Sequence, residues 1–180
     1  MPLVLNGATS GSTTIQATDS VTATLTLPSS TGTLLSTASP ASGNVIQVVQ
    51  GTTSNVTSTT STTYVASQLT ASITPKFATS KIMVLITSAT TQTTTGQTSN
   101  ITVYRNGSVN IATSTLGLTA YENSGGSGYS WVPASGSIID SPATTSSTTY
   151  TVYVRAGSGG TAYVNWGALN NTITLLEIAV

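Results

Sequence analysis

Lys81-Ile82-Met83-Val84-Leu85-Ile86 is apolar at nearly every position, and no stretch of the chain carries a convincing helical stripe. A short run of this kind, rich in aliphatic side chains, reads as a strand. Because successive side chains point to opposite sides of the pleat, such a strand expects cover on both faces. It therefore belongs near the centre of a sheet. Elsewhere the pattern is alternation. In Val21-Thr22-Ala23-Thr24-Leu25-Thr26-Leu27 the odd positions are apolar and the even ones are Thr, the signature of a half-buried strand. Similar reads fall at 45–50, 63–69, 101–105, 109–113, 129–132, 149–155, 161–166 and 172–178.

Turn signals separate these segments. Asn106-Gly107 is the strongest short-range hairpin signal, and Gly125-Gly126, Ser135-Gly136 and Gly157–Gly160 mark further turns. Residues 52–62 and 90–99 read as polar loops, where Ser and Thr favour local side-chain to backbone bonds. The last strand, Ile173-Thr174-Leu175-Leu176-Glu177-Ile178-Ala179-Val180, is expected to run to the final residue and to be pinned into the sheet. Many short strands with frequent turns predict an all-β fold with an antiparallel, jelly-roll-like β-sandwich over 43–180. Residues 1–42 carry one charge, Asp19, and too few large apolar side chains for a core of their own. They are expected to form an extended β arm or intertwined shaft.

Across 180 residues there are four acidic and four basic side chains, no His and no Cys. A catalytic triad needs an imidazole, a thiolate nucleophile needs Cys, and transition-metal sites lean on both. The expectation is a protein that is not an enzyme and needs no cofactor. Charged residues make up 4% of the chain against roughly a quarter in ordinary domains. With 38% hydrophobic residues and zero net charge, the chain is nevertheless outside the composition of disordered proteins. Lys76 and Lys81 are close in sequence while Arg105 and Arg155 stand alone, so no basic patch for nucleic acid can be drawn. No apolar run approaches the ~20 residues of a membrane-spanning helix, so no membrane insertion is expected. A neutral, β-rich surface has little charge repulsion to keep it from its own copies. A self-associated natural state is expected.

Two stretches carry a resemblance. Leu25-Thr26-Leu27-Pro28-Ser29-Ser30-Thr31-Gly32-Thr33-Leu34-Leu35-Ser36-Thr37 resembles a "TLTLP…TGTLL" segment of tail-fibre-like structural proteins of tailed bacteriophages. An ordered series then follows: Gly43-Asn44-Val45-Ile46-Gln47-Val48-Val49-Gln50, Leu69-Thr70-Ala71-Ser72-Ile73-Thr74-Pro75 and Ser80-Lys81-Ile82-Met83-Val84-Leu85. It continues through Tyr104-Arg105-Asn106-Gly107, Ile139-Asp140-Ser141-Pro142, Thr148-Thr149-Tyr150-Thr151-Val152 and Leu175-Leu176-Glu177-Ile178-Ala179. This series resembles the distal β-domain of virion proteins from cyanobacterial and marine phages. The resemblance implies a non-enzymatic, homotrimeric component located in the virion. The expected role is a fibre or tail appendage whose knob adheres to the host surface, with residues 1–42 joining it to other virion proteins of tail, baseplate or capsid. The alternative is a capsid decoration protein stabilising the head.

Candidate functional residues follow from chemistry. Tyr121-Glu122-Asn123-Ser124-Gly125-Gly126-Ser127-Gly128-Tyr129-Ser130-Trp131 joins aromatics to flexible glycines, a composition suited to stacking on sugar rings or anchoring a partner. Tyr121, Tyr129 and Trp131 are the receptor-binding candidates, and a host surface glycan the candidate ligand. Trp131 is equally readable as core, and Trp166 reads as core. A polysaccharide depolymerase would need two carboxylates about 5–10 Å apart, and Glu122 with Asp140 is the best available pair. Asp140, ahead of Ser141-Pro142, otherwise reads as a turn cap. Glu177 alternates with Leu176 and Ile178, so it should face away from both, toward solvent or a subunit interface. If held inside it would need a cation such as Arg105, Arg155 or Lys81, and Glu177 and Arg105 are the candidates for structural ion pairing.

Overall fold

A computed structural model describes residues 3–6, 12–15, 40–125 and 131–180. The chain divides into two compact units, Met1–Leu35 and Ser36–Val180. In the first, β1 (Leu3–Asn6) pairs antiparallel with β2 (Ser12–Ile15), Leu3 opposite Ile15 and Asn6 opposite Ser12. The alternating stretch 21–27, the TLTLP-like segment that overlaps it and Tyr129 lie outside the described residues.

The second unit is all-β, with two antiparallel sheets packed face to face. Its strands are β3 (Val45–Thr53), β4 (Thr57–Thr59), β5 (Val65–Ile73), β6 (Lys81–Gln92), β7 (Thr98–Arg105), β8 (Val109–Asn110), β9 (Thr119–Glu122), β10 (Val132–Asp140), β11 (Thr148–Ala156), β12 (Ala162–Val164) and β13 (Asn171–Ile178), with one 3-10 turn at Trp166–Ala168. In the first sheet β6 is central. β10 runs along one edge of it, while β13 and then β12 share the other, with β3 beyond β13 and β4 beyond β12. The second sheet runs β5–β11–β7, and β8 and β9 pair with successive stretches of the far edge of β7.

Alternation builds the core. Leu69 and Ile73 from β5, Ile101 and Val103 from β7, and Tyr150, Val152 and Val154 from β11 face Ile82, Val84 and Ile86 of β6 and Ile173 and Leu175 of β13. Each fully buried aliphatic side chain contributes about 1.5–3 kcal/mol. The Asn106-Gly107 signal is realised as the β7–β8 hairpin, where both residues take positive φ, 50° and 70°. The end of β13 is fastened as expected, although the strand stops at Ile178: Gly43 N donates to Ala179 O and Ala179 N to Asn44 O.

Several expectations are corrected. Residues 52–62 and 90–99 are not simply loops: β3 extends to Thr53, β4 occupies Thr57–Thr59, β6 runs to Gln92 and β7 begins at Thr98. Ser135-Gly136 is not a turn but the middle of β10. Gly136 is there because Leu118 packs against it, and an added Cβ would sit 3.0 Å from Leu118 Cγ. Strand β9 falls where no alternation was read. The segment 109–113 yields only two strand residues, and 161–166 gives way to the 3-10 turn at Trp166.

The most instructive correction concerns β6. In its apolar half, Ile82, Val84 and Ile86 are buried, but Met83 and Leu85 on the opposite face are only half-buried. The residues enclosed on both sides are the mostly polar ones, Ser88 through Gln92. Thr90 and Gln92 are satisfied locally: Thr90 Oγ1 donates to Tyr163 O at 2.6 Å, and Gln92 donates through Nε2 to Thr98 O at 3.0 Å and accepts from Thr93 N at 2.8 Å.

Candidate functional site

The recognition candidates separate. Tyr121 sits half-buried in β9 opposite Ser99, and Glu122 is exposed opposite Thr98. Asn123 fastens this end of the segment. It is buried, donates through Nδ2 to Gln92 O at 3.0 Å and exchanges backbone bonds with the 96–97 turn. Trp131, at the other end, is 62% exposed, so it is not a core residue. Trp166, expected in the core, is half-buried and meets Tyr163 edge-on, with centroids 4.4 Å apart.

Trp131 nonetheless lies against the molecule on one side. Its six-membered ring lies on Gly167, where an added Cβ would be 3.2 Å from Cζ3 and 3.3 Å from Cη2. Beside it opens a cleft of about 320 Å³ lined by Thr87, Ser88, Ala89, Val132, Pro133, Ser135 and Leu169 as well as Trp131. Two asparagines set its shape from behind. Asn165 accepts the Ser88 hydroxyl through Oδ1 at 3.0 Å, and Asn171 accepts Ala89 N at 3.2 Å while donating to Leu169 O at 2.6 Å. Both asparagines are fully buried, so the wall at Leu169 and the floor at Ser88–Ala89 are held by buried hydrogen bonds. Pro133 is tolerated because β10 is an edge strand. None of the lining side chains is charged. Sequence reading found Trp131 but missed the cleft, since its walls come from three separated segments that only the fold brings together.

The paired-carboxylate geometry does not form. Glu122 pairs opposite Thr98 while Asp140 reaches Arg105, at the other end of β7, and seven residues of strand span about 23 Å at roughly 3.3 Å per residue. Asp140 is also no turn cap. Arg105 Nη1 donates to both of its oxygens at 2.8 Å, and the Tyr150 hydroxyl donates to Oδ2 at 2.7 Å. Burial, and after it the bond to Asp140, holds the Tyr150 phenol far above its usual pKa.

Glu177 faces away from Leu176 and Ile178 as alternation requires, but into the protein, where it is fully buried. The expected cation is not its partner, because Arg105 is committed to Asp140. Gln47 Nε2 donates to Glu177 Oε2 at 2.6 Å, and the backbone N–H groups of Lys76 and Phe77 donate to Oε1 at 2.7 and 3.3 Å. Burial by itself pushes this carboxyl up. The Ser80 hydroxyl, the Gln47 amide and the two backbone donors outweigh burial and leave the pKa below the usual value.

A second feature lies on the outer face of the β3–β13–β6–β10 sheet. Register aligns Val48 with Leu176, Leu176 with Met83 and Met83 with Ile139. One apolar row thus crosses all four strands, and its ends are 59% exposed at Val48 and 55% at Ile139. Among the described residues no cluster of three or more His, Cys, Asp or Glu side chains could hold a metal, and no helix is long and apolar enough to cross a membrane. No protein-family model matches the chain, and no curated protein is significantly similar to it in sequence.

Proposed function

We propose that the chain is a structural building block of a phage virion: a homotrimeric fibre or tail appendage whose β-sandwich is a host-adhesion knob. The strand orders β3–β13–β6–β10 and β5–β11–β7–β9 fit a jelly roll, in which the chain passes repeatedly between two four-stranded sheets. The virion assignment and the threefold state rest on the resemblance of the ordered segments from Gly43 to Ala179.

The observation that carries self-association is the bare row Val48–Leu176–Met83–Ile139. The sequence of β6 asks for cover on both faces, and among the described residues only one face receives it. An apolar face on a protein with no net charge is a surface for a partner. Residues 1–42 would supply the join to other virion proteins, and Trp131 the contact with the host.

Sedimentation of the intact protein tests the assembly. A mass of three chains is expected, and a stable single chain overturns it. Labelling particles with an antibody against the sandwich tests the location. Label on the tail supports the appendage, label on the head favours the decoration protein, and unlabelled particles overturn the virion assignment.

A further inference from the structure

Resting on the adhesion reading, we infer that the Trp131 cleft takes one uncharged pyranose ring of a neutral surface glycan. Three properties of the cleft lead there. The indole is exposed and lies against Gly167, so it offers a flat apolar platform for a ligand. Sugars present just such a face, formed by their C–H groups. The remaining walls are aliphatic at Ala89, Val132, Pro133 and Leu169, while Thr87 and Ser135 are exposed polar residues of the lining. That mixture matches a ring that is apolar on one side and hydroxylated around its edge.

Charge and size then narrow the class. No lysine or arginine lines the cleft, so a uronate or sialic acid entering it would shed water from its carboxylate with no cation to receive it. Neutral hexoses carry no such penalty. A volume of about 320 Å³ is at the lower end of small-molecule sites, roughly 300–1,000 Å³, which suits one ring rather than an extended chain. An isolated leucine or phenylalanine side chain from a protein would also find apolar walls here. It would offer no polar group to the lining residues Thr87 and Ser135, which favours the sugar.

The two tryptophans of the chain make the test direct, because each indole N–H gives its own NMR signal. The protein is titrated with the methyl glycosides of glucose, galactose and mannose, with glucuronate, and with N-acetyl-leucinamide. At least one neutral glycoside is expected to saturate with a Kd of order 1 mM, moving the Trp131 indole signal and leaving that of Trp166 in place. Trp131→Ala is expected to weaken binding roughly tenfold with the melting temperature unchanged, and Trp131→Phe to retain part of it. Saturation by glucuronate as tight as by the neutral sugars, response to N-acetyl-leucinamide alone, or no saturable response to any neutral glycoside overturns the inference. Host-cell binding by wild type and Trp131→Ala separates it from the broader reading. Adhesion that survives the substitution removes the cleft and keeps the adhesin, whereas wild-type protein that never binds cells removes the adhesin.

Discussion

The two outer faces of the sandwich are built to opposite plans. On the β5–β11–β7 sheet the chain covers itself. The excursion between β8 and β9 folds over Asn100 and Thr102, burying both, with Asn100 Nδ2 donating to Leu116 O and Thr102 Oγ1 to Asn110 Oδ1. Arg155 clamps this cover, donating to Thr62 O and Thr115 O while its guanidinium lies 5.1 Å from the centre of the Tyr64 ring. On the β3–β13–β6–β10 sheet nothing comparable crosses the apolar row among the described residues. The apolar row is the surface that the proposed assembly would use.

The largest effect expected from this contrast is on assembly. Val48→Asp combined with Ile139→Asp places charge at both ends of the open row, and the sedimenting mass should fall from three chains to one while the circular dichroism of the sandwich is kept. An unchanged trimer would show that the row is not the interface. On the closed face, Arg155→Ala should leave the mass unaltered and lower stability by about 2 kcal/mol, measured by urea unfolding, through loss of two charge-assisted hydrogen bonds.

Glu177 sharpens the contrast from beneath, because it sets β13 from the inside while Leu176 carries the row outside. Its carboxyl titrates below the normal range in the folded state. The stability it confers is therefore complete above the unfolded value of about 4.3 and is lost as pH falls from there through the folded value. Glu177→Gln is expected to cost about 1–2 kcal/mol at pH 7 and to flatten the acid limb of a stability–pH curve; a curve parallel to wild type would contradict the role. The smallest effect belongs to Trp131→Ala, which should shift stability by less than about 0.5 kcal/mol and act only on binding.

How much of this was legible in the sequence depended on whether a signal was local. Alternation located β11 and β13, and Asn106-Gly107 located a hairpin, because pleat and turn are properties of neighbouring residues. β10 was lost because Gly136 answers a distant side chain, Leu118, and not a turn. Asp140 and Glu177 were misread for the same reason. Their partners, Arg105 and Tyr150 in one case and Gln47 with the 76–77 backbone in the other, are brought near only by register. Trp131 was legible as an aromatic beside glycines; the cleft next to it was not.

The neutral cradle around Glu177 has an environmental consequence. Dissolved ions weaken attractions between exposed charges over about 8–10 Å, but they have little purchase on a buried carboxylate bonded to amides. With Arg105–Asp140 the single salt bridge among the described residues, moving this sandwich from dilute buffer to brine should leave its folding almost untouched. It is a fold indifferent to salinity.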